Sequence, residues 1–193
     1  PLHPGAREVP SRALCAWGAG KGSHPLFWLQ GAHGVGKSAL VKAVVGRLRD
    51  GGDSRGEVAA FFARAKDPRL SKLRSVIYCW SVALGLVAQD SDVDLSEEKW
   101  QKADADEALL RTYVFDPLAK RSSGSKRTTV LVLDALDECD KGGARFVETV
   151  AKLVMEYRTK KDGVDVRLLV SSTTKPAKDS RFRKRAARSM QLG

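Results

Sequence analysis

The chain has 193 residues, 42% of them hydrophobic and 30% charged, which fits one ordinary globular domain. No apolar run approaches the roughly 20 residues that a membrane-spanning helix needs, so no membrane segment is expected. With only three cysteines and three histidines, and no metal-type spacing among the cysteines, a disulfide framework and a structural zinc site are both disfavoured. This cysteine usage favours a reducing, cytoplasmic location.

The net charge of +11 raises the question of nucleic-acid binding. The excess is local, because the segment from Lys175 to Arg188 carries seven basic residues against one acid, Asp179. No interleaved aromatic residues and no groove-reading motif accompany that charge. We therefore do not expect nucleic acid as a partner, and we expect other parts of a larger protein to cover this segment.

Short apolar runs alternate with stretches of helical periodicity, which predicts an α/β domain with a mainly parallel sheet. The five predicted strands are Leu26–Gln30, Val58–Ala63, Thr129–Leu133, Val166–Val170 and Met190–Leu192. One apolar helical face follows the first strand, formed by Leu40, Val41, Val44, Val45 and Leu48. A second recurs between the third and fourth strands, formed by Phe146, Val150, Leu153, Val154 and Tyr157.

The region between the second and third strands is predicted to be a helical insertion. Leu73–Val87 is strongly apolar around Trp80, and its short length and neutrality favour a buried helix over a membrane-surface helix. Asp90–Asp106 is acidic and predicts a surface loop followed by a helix start. Leu109–Leu118 predicts a further helix, in which Pro117 marks a kink or an end.

The residues Gly31–Ser38, GAHGVGKS, match the phosphate-binding loop in every required position and lie between a predicted strand and a predicted helix. Glycines let backbone N–H groups wrap a polyphosphate, and the following helix N-terminus adds partial positive charge. Lys37 is expected to reach the β- and γ-phosphates and Ser38 to ligate Mg²⁺. The predicted nucleotide-binding residues are Gly31, His33, Gly34, Val35, Gly36, Lys37, Ser38 and Ala39. His33 is interpreted as a variable loop position and not as a catalytic base.

The strand Val130–Leu133 ends in Asp134, which is expected to hold Mg²⁺ opposite Ser38. Asp137 and Glu138 follow three and four positions later, in the crevice where parallel sheets bind ligands. A carboxylate there can orient or deprotonate the water that attacks a γ-phosphate. The alternative is a solvated acidic turn without function, which the neighbouring phosphate loop disfavours.

Two segments together resemble a known family. FWLQGAHGVGKSAL at Phe27–Leu40 and VLVLDALDECD at Val130–Asp140 closely resemble the NACHT domains of fungal STAND NTPases. These are signalling switches of the kind found in heterokaryon-incompatibility and other NOD-like receptor proteins. The resemblance extends along the chain, from a helical lead-in at Pro4–Gly18 to the second strand and its helices at Ala59–Gly85.

The resemblance implies one NACHT-type core, with a helical lead-in over residues 1–24 and a P-loop α/β core over residues 25–193. The implied fold is a three-layer α/β/α sandwich with sheet order 5-1-4-3-2 and a helical insertion between strands 2 and 3. The implied activity is a switch in signalling of the innate-immunity type that binds ATP or GTP with Mg²⁺ and hydrolyses it slowly to the diphosphate. Lys37, Asp137 and Glu138 would carry hydrolysis, and Ser38 and Asp134 would hold the metal.

One departure from the family concerns the run after the fourth strand, where a TSRP-like sequence usually supplies an arginine that senses the γ-phosphate. This chain has SSTTKP at Ser171–Pro176, and Thr174 stands where the arginine is expected. A hydroxyl cannot supply the charge or the forked donors of a guanidinium. The departure bears on turnover more than on binding.

The chain ends where the family continues, so we expect a core taken from a larger protein. Expected partners are effector, helical, winged-helix and repeat-sensor domains of the same chain, with self-association on activation. A nucleotide-loaded interaction module without useful hydrolysis is one alternative, favoured by Thr173 and Thr174. A small-molecule kinase is another, which the acidic DALDEC run disfavours. The motifs read phosphates and not the base, so ATP and GTP both stay open.

Overall fold

A computed structural model describes residues 8–50, 56–87, 105–122, 127–160, 163–175 and 188–192. Its centre is a five-stranded sheet in which every neighbouring pair of strands is parallel. The strands are β1 (Leu26–Gly31), β2 (Glu57–Phe62), β3 (Thr128–Asp134), β4 (Asp165–Ser172) and β5 (Arg188–Leu192). Their order across the sheet is β2-β3-β4-β1-β5. Read from the other edge, this is the predicted order 5-1-4-3-2, so the predicted fold class is confirmed.

Six α-helices cover the sheet in the described part of the chain. They are α1 (Glu8–Gly18), α2 (Lys37–Asp50), α3 (Leu73–Ala83), α4 (Ala105–Leu110), α5 (Asp116–Ser122) and α6 (Gly143–Thr159). A π-helical turn at Arg111–Phe115 joins α4 to α5, and a 3-10 turn at Leu136–Glu138 follows β3. Among the residues described, no helix is both long and apolar enough to cross a membrane.

The apolar residues of the sheet divide between two cores because successive side chains of a strand point to opposite faces. On β1, Leu26 and Trp28 pack with α3 to α6, whereas Phe27 and Leu29 pack with α1 and α2. β3 and β4 follow the same alternation. Both faces of the sheet are therefore covered, which is the arrangement expected of a parallel sheet and gives three layers.

Helix α2 begins directly at the end of the phosphate loop and lies along the sheet. Its buried residues include the five predicted for its apolar face, Leu40, Val41, Val44, Val45 and Leu48. Each is at most 6% exposed. This packing holds the N-terminal end of α2, and with it Lys37 and Ser38, in a fixed position beside the carboxyl end of β1.

The helical insertion lies on the opposite face. Trp80, in the middle of α3, is fully buried and its indole N–H donates to the Val132 carbonyl at 3.1 Å. The buried-helix interpretation of this segment is therefore confirmed. The predicted acidic loop at Asp90–Asp106 falls almost entirely outside the described residues, and so do residues 176–187 of the basic segment.

Pro117 does not end its helix, because the helical run continues to Ser122. The π-helical turn immediately before it is closed by the Asp116 N–H, which donates to the Arg111 carbonyl. A proline lacks an N–H and its ring crowds the carbonyl four residues earlier, here that of Tyr113. The wider turn accommodates the ring, so Pro117 marks a change of helical geometry within a longer helix.

Helix α1 lies within the predicted lead-in and is fixed to the sheet by a buried arginine of β4. Arg167 is 2% exposed and donates to the carbonyls of Trp17, Gly20 and Gly22 at 3.0–3.1 Å. A cation at a helix C-terminus is favoured by the helix dipole as well as by these hydrogen bonds. The indole ring of Trp17 also packs edge-on against Phe27, at 5.5 Å between ring centroids.

Candidate functional site

The phosphate loop connects β1 to α2, and its glycines adopt conformations that other residues rarely take. Gly34 and Gly36 have φ of 80° and 94°. Gly31 is needed for close approach, since a Cβ there would lie 2.8 Å from the Val35 side chain and 2.9 Å from the Leu192 carbonyl. The glycine positions of the motif are thus explained by the backbone itself.

Lys37 is buried at the start of α2 and its ammonium is held inside the loop. Its Nζ donates to the carbonyls of Gly31 and Ala32 at 2.8 and 2.9 Å. An ammonium has three N–H donors, so these two bonds orient it and leave one donor for an anion. A fixed positive charge at the base of a glycine loop suits a polyphosphate.

Asp134 ends β3 and is 2% exposed. Its Oδ1 accepts a hydrogen bond from the Ser171 hydroxyl on the neighbouring strand β4. The same hydroxyl oxygen accepts the Ala135 N–H at 2.9 Å. Ala135 has φ of 58° and is the one non-glycine residue with positive φ in the described part of the chain. Ser171 therefore orients the carboxylate and holds the left-handed turn that redirects the chain after β3.

The acidic turn after Ala135 is tied to both neighbouring strands. Asp137 Oδ1 accepts the Thr173 N–H at 2.9 Å, at the end of β4. Glu138 Oε2 accepts the Ala65 N–H at 3.1 Å, beyond the end of β2. The two carboxylates are adjacent in sequence, but they are held from opposite sides of β3, Asp137 from the end of β4 and Glu138 from the segment after β2.

The pKa of Asp137 is lower than that of an ordinary aspartate. Burial acts in the other direction, by disfavouring the charged carboxylate, but hydrogen bonds outweigh it. These come from the backbone N–H groups of Thr173 and Asp137 and from the hydroxyls of Ser172 and Thr173. Asp137 is therefore ionised at neutral pH.

Cys139 follows the acidic turn and behaves as a packing residue. Burial and the nearby carboxylates of Asp140, Asp137 and Glu138 raise the pKa of its thiol to about 12. A thiol with so high a pKa is protonated at neutral pH and is a poor nucleophile.

The loop and the acidic turn face each other across a crevice of about 270 Å³. The residues lining it are His33, Gly34, Gly36, Lys37, Ser38, Ala39, Ala135, Asp137, Glu138 and Thr173. It adjoins a cleft of about 590 Å³ that shares His33, Ser38, Ala135 and Glu138 and also reaches Asp134. Of the predicted site residues, only Gly31 and Val35 line neither space, because they pack behind the loop against each other.

The larger cleft brings in three basic residues that the sequence motifs did not indicate. They are Lys42 of α2 and Arg64 and Lys66 of the β2–α3 loop. Two sequence signals could have pointed to Lys42 and Arg64. Lys42 lies four residues after Ser38 and so on the same helical face, and Arg64 follows the carboxyl end of a strand, where parallel sheets collect ligand-binding residues.

The residues present fit Mg²⁺. The Ser38 hydroxyl and the Asp134 carboxylate both line the larger cleft, and Ser171 occupies only one of the two carboxylate oxygens. Mg²⁺ prefers hard oxygen ligands and commonly takes one or two from the protein and the rest from phosphates and water. Accordingly, the described residues include no cluster of three or more histidine, cysteine or acidic side chains that could hold a metal alone.

The run after β4 faces the site through Thr173. Thr173 lines the crevice, whereas the Thr174 carbonyl accepts the Trp28 indole N–H at 3.0 Å. The Thr174 hydroxyl lies 3.1 Å from that of Ser172. Thr173 therefore lies at the crevice, and not Thr174, which stands where the arginine was expected. Both side chains carry a hydroxyl in place of a guanidinium.

Solved structures with the same fold support this description. Cdc6p from Pyrobaculum aerophilum matches with a TM-score of 0.62 at 14% identity, covering 100% of this chain and 46% of that one. The ORC2 protein of Aeropyrum pernix, in ADPNP-ADP complexes, gives 0.61 at 14%, covering 100% and 49%. PCH-2 of C. elegans gives 0.52 at 15%, covering 99% and 43%. The chain spans just under half the length of each, and at these identities the likeness establishes the fold alone.

No curated protein sequence matches the chain. The family described as Nephrocystin 3, N-terminal, matches residues 10–173, from α1 to just beyond the end of β4. That range includes the phosphate loop, Asp134 and the acidic turn. The sequence resemblance implied a P-loop NTPase and, more narrowly, a fungal NACHT domain. These findings support the first and do not show the second. The chain belongs to the Nephrocystin 3, N-terminal family.

Proposed function

We propose that the chain binds a nucleoside triphosphate together with Mg²⁺ and hydrolyses it to the diphosphate and phosphate. One observation carries the proposal: the loop Gly31–Ser38 and the acidic turn with Asp137 and Glu138 line the two walls of one crevice. The ORC2 structure of the same fold, in ADPNP-ADP complexes, adds support.

Binding rests on the loop. The ammonium of Lys37, oriented by the Gly31 and Ala32 carbonyls, neutralises charge on the β- and γ-phosphates. The N-terminus of α2 adds its partial positive charge. Ser38 and Asp134 would hold Mg²⁺, which when bound neutralises further charge on the phosphate oxygens. Ser171 keeps the Asp134 carboxylate in place through its hydroxyl.

Hydrolysis is an in-line displacement at the γ-phosphorus. The oxygen of a water molecule forms a bond to that phosphorus while the bond to the β–γ bridging oxygen breaks, and the diphosphate leaves with the electron pair. Asp137, held ionised, orients the water through a hydrogen bond. Glu138 accepts the proton that the water loses. The products are the diphosphate, inorganic phosphate and one proton.

At a finer level, we propose a cytoplasmic signalling switch of the NACHT type in the fungal STAND and NOD-like receptor group. The DALDEC run at Asp134–Cys139 supports it. In such a switch the diphosphate-bound form is the resting state. The triphosphate-bound form is active, self-associates and contacts other domains of the same chain. The residues of this site would contact the phosphates and not the base, so an experiment has to decide between ATP and GTP.

A second candidate is a nucleotide-loaded interaction module without useful hydrolysis. The hydroxyls of Thr173 and Thr174 favour it, because neither can replace the guanidinium that usually senses the γ-phosphate. This candidate predicts tight binding of the triphosphate without release of phosphate.

The test follows binding and phosphate release together, with radiolabelled ATP and GTP in the presence of Mg²⁺. Lys37→Ala is expected to lose most of the binding, and the double change Asp137→Ala with Glu138→Ala to retain binding but lose release. Lys21→Ala, an exposed lysine outside the crevice, is the matched control and should behave as wild type. Binding without release in wild type would favour the interaction module, and no binding of either nucleotide would refute the proposal.

A further inference from the structure

The cleft beside the phosphate loop is lined by three basic residues that the proposed function does not use, and by the acidic residues Asp134 and Glu138. Lys42, Arg64 and Lys66 line it together with Ser38 and Glu138. Ser38 and the acidic turn mark the end of the site where a γ-phosphate and its attacking water would lie. Cations gathered at that end of a cleft attract and hold an anion.

The backbone on either side of Arg64 is hydrogen-bonded to Asp134 at the end of β3 and to Glu138 in the acidic turn. β2 pairs with β3 so that Phe62 lies opposite Asp134, and the next residue, Ala63, donates its N–H to the Asp134 carbonyl at 3.0 Å. Ala65 donates its N–H to Glu138 at 3.1 Å. Arg64 therefore lies between two residues that are hydrogen-bonded to Asp134 and to the acidic turn.

The side chain of Arg64 is available for a ligand. It is exposed, and within the described ranges no ion pair or hydrogen bond joins its guanidinium to another residue. Lys42, in contrast, has its ammonium 5.5 Å from the centre of the Phe62 ring. Arg64 also offers the forked donors of a guanidinium, which can bind two phosphate oxygens at once. The ammonium of Lys66 has no such fork.

The end of β4 lacks the group that Arg64 can supply. Thr173 lines the crevice, and the Thr174 hydroxyl lies 3.1 Å from that of Ser172, so this run brings no guanidinium to the site. A triphosphate carries its last negative charges on the γ-phosphate, and a diphosphate does not have that group. A cation that reaches only the γ-phosphate distinguishes the two nucleotides.

We infer that Arg64 contacts the γ-phosphate of the bound triphosphate from the end of β2, and gives the chain its preference for triphosphate over diphosphate. The inference rests on the proposed nucleotide function and adds to it the residue that senses the γ-phosphate. Contact in the transition state, where charge spreads over the γ-phosphate oxygens, also makes Arg64 a catalytic residue.

The test compares Arg64→Ala with Arg69→Ala, a matched arginine on the same loop. Arg69 pairs with Asp67 at 3.6 Å and lines neither the crevice nor the cleft. For each variant, the affinities for the diphosphate and for a non-hydrolysable triphosphate analogue are measured by titration calorimetry, and single-turnover hydrolysis is followed separately. The nucleotide used is whichever of adenine and guanine wild type binds.

Arg64→Ala is expected to lower the preference for triphosphate about tenfold and hydrolysis by about 100-fold or more. The affinity for the diphosphate should not change, and neither should the melting temperature, since Arg64 is exposed. Arg64→Lys, which keeps the charge and loses the fork, should recover part of both losses. Arg69→Ala should equal wild type.

An Arg64→Ala protein that matches Arg69→Ala in both measurements overturns the inference. Equal losses for the diphosphate and the triphosphate also overturn it, because they would mean a general effect on the site. If wild type binds no nucleotide, the proposed function fails as well. If wild type binds and hydrolyses the nucleotide and Arg64→Ala does so equally well, the role of Arg64 is refuted and the proposed function stands.

Discussion

Asp137 and Glu138 are neighbours in the chain but are held by different strands. The Thr173 N–H holds Asp137 from β4, and the Ala65 N–H holds Glu138 from the end of β2. At the scale of single residues, the acidic turn is thus a bridge across the carboxyl edge of the sheet.

The lowered pKa of Asp137 predicts a stability that depends on pH. A carboxyl group whose folded pKa lies below its unfolded pKa stabilises the fold above the unfolded value, near 4, and loses that contribution as pH falls through the folded value. Asp137→Asn removes the titrating group. The free-energy difference between wild type and Asp137→Asn should therefore be constant from about pH 6 to 8 and shrink below about pH 4.

Urea unfolding from pH 2.5 to 8 measures that difference. Asp50→Asn, at the end of α2, serves as the control because Asp50 is exposed and, among the described residues, no hydrogen bond or ion pair joins its carboxylate to another residue. A difference between wild type and Asp137→Asn that does not change with pH would contradict the hydrogen-bonded, ionised state of Asp137.

At the scale of elements, β4 supports three parts of the site and its surroundings. Ser171 holds Asp134 and the turn at Ala135, and Thr173 holds Asp137. At its other end, Arg167 binds the carbonyls at the C-terminus of α1. This strand lies between β1 and β3, so it joins the phosphate loop to the acidic turn.

Arg167→Met should destabilise the fold strongly. The change breaks the three hydrogen bonds from the guanidinium to the carbonyls of Trp17, Gly20 and Gly22, and a hydrogen bond to a charged group contributes about 1.5–3 kcal/mol. We expect the free energy of unfolding to fall by about 3 kcal/mol or more. Arg12→Met on α1 is the control, because its ion pair with Glu8 is exposed and such pairs contribute under about 1 kcal/mol.

Chemical denaturation of both variants measures the two effects. Equal losses for Arg167→Met and Arg12→Met would contradict the proposal that the buried guanidinium anchors α1 to the sheet. Far-ultraviolet circular dichroism before unfolding checks that both variants start from a folded state.

At the scale of the whole molecule, the chain is a P-loop fold that spans just under half of the solved structures it matches. The division into a lead-in over residues 1–24 and a core over residues 25–193 stays a prediction. Because the phosphate loop and the acidic turn come from distant parts of the chain, a ligand that bridges them should stabilise the entire fold.

We expect a nucleoside triphosphate with Mg²⁺, at 100 times its Kd, to stabilise the protein by about 2.7 kcal/mol. For a chain of this size that corresponds to a rise in melting temperature of about 5–10 °C. Lys37→Ala should abolish the rise, and Lys21→Ala should not. Scanning calorimetry with and without nucleotide gives the answer, and an equal rise in Lys37→Ala would contradict binding at the loop.

The sequence by itself determined the parts of this protein that are written in contiguous residues. Short apolar runs predicted all five strands to within a few residues, and GAHGVGKS and DALDEC located both walls of the crevice. The strand order came from the family resemblance and not from periodicity, since the spacing of apolar residues carries no information on which strands are neighbours. The sequence left a kink or a helix end open at Pro117, because the π-helical turn before it has no signature in the local pattern.

Tertiary structure alone decided which distant residues meet. Ser171 beside Asp134, Arg64 beside Glu138 and Thr173 in place of Thr174 at the crevice all depend on strands that are far apart in sequence and adjacent in the sheet. The physical reason is that hydrogen bonds and charge interactions act over a few ångströms in space. A motif fixes the residues of one segment, whereas the packed sheet fixes what lies opposite them.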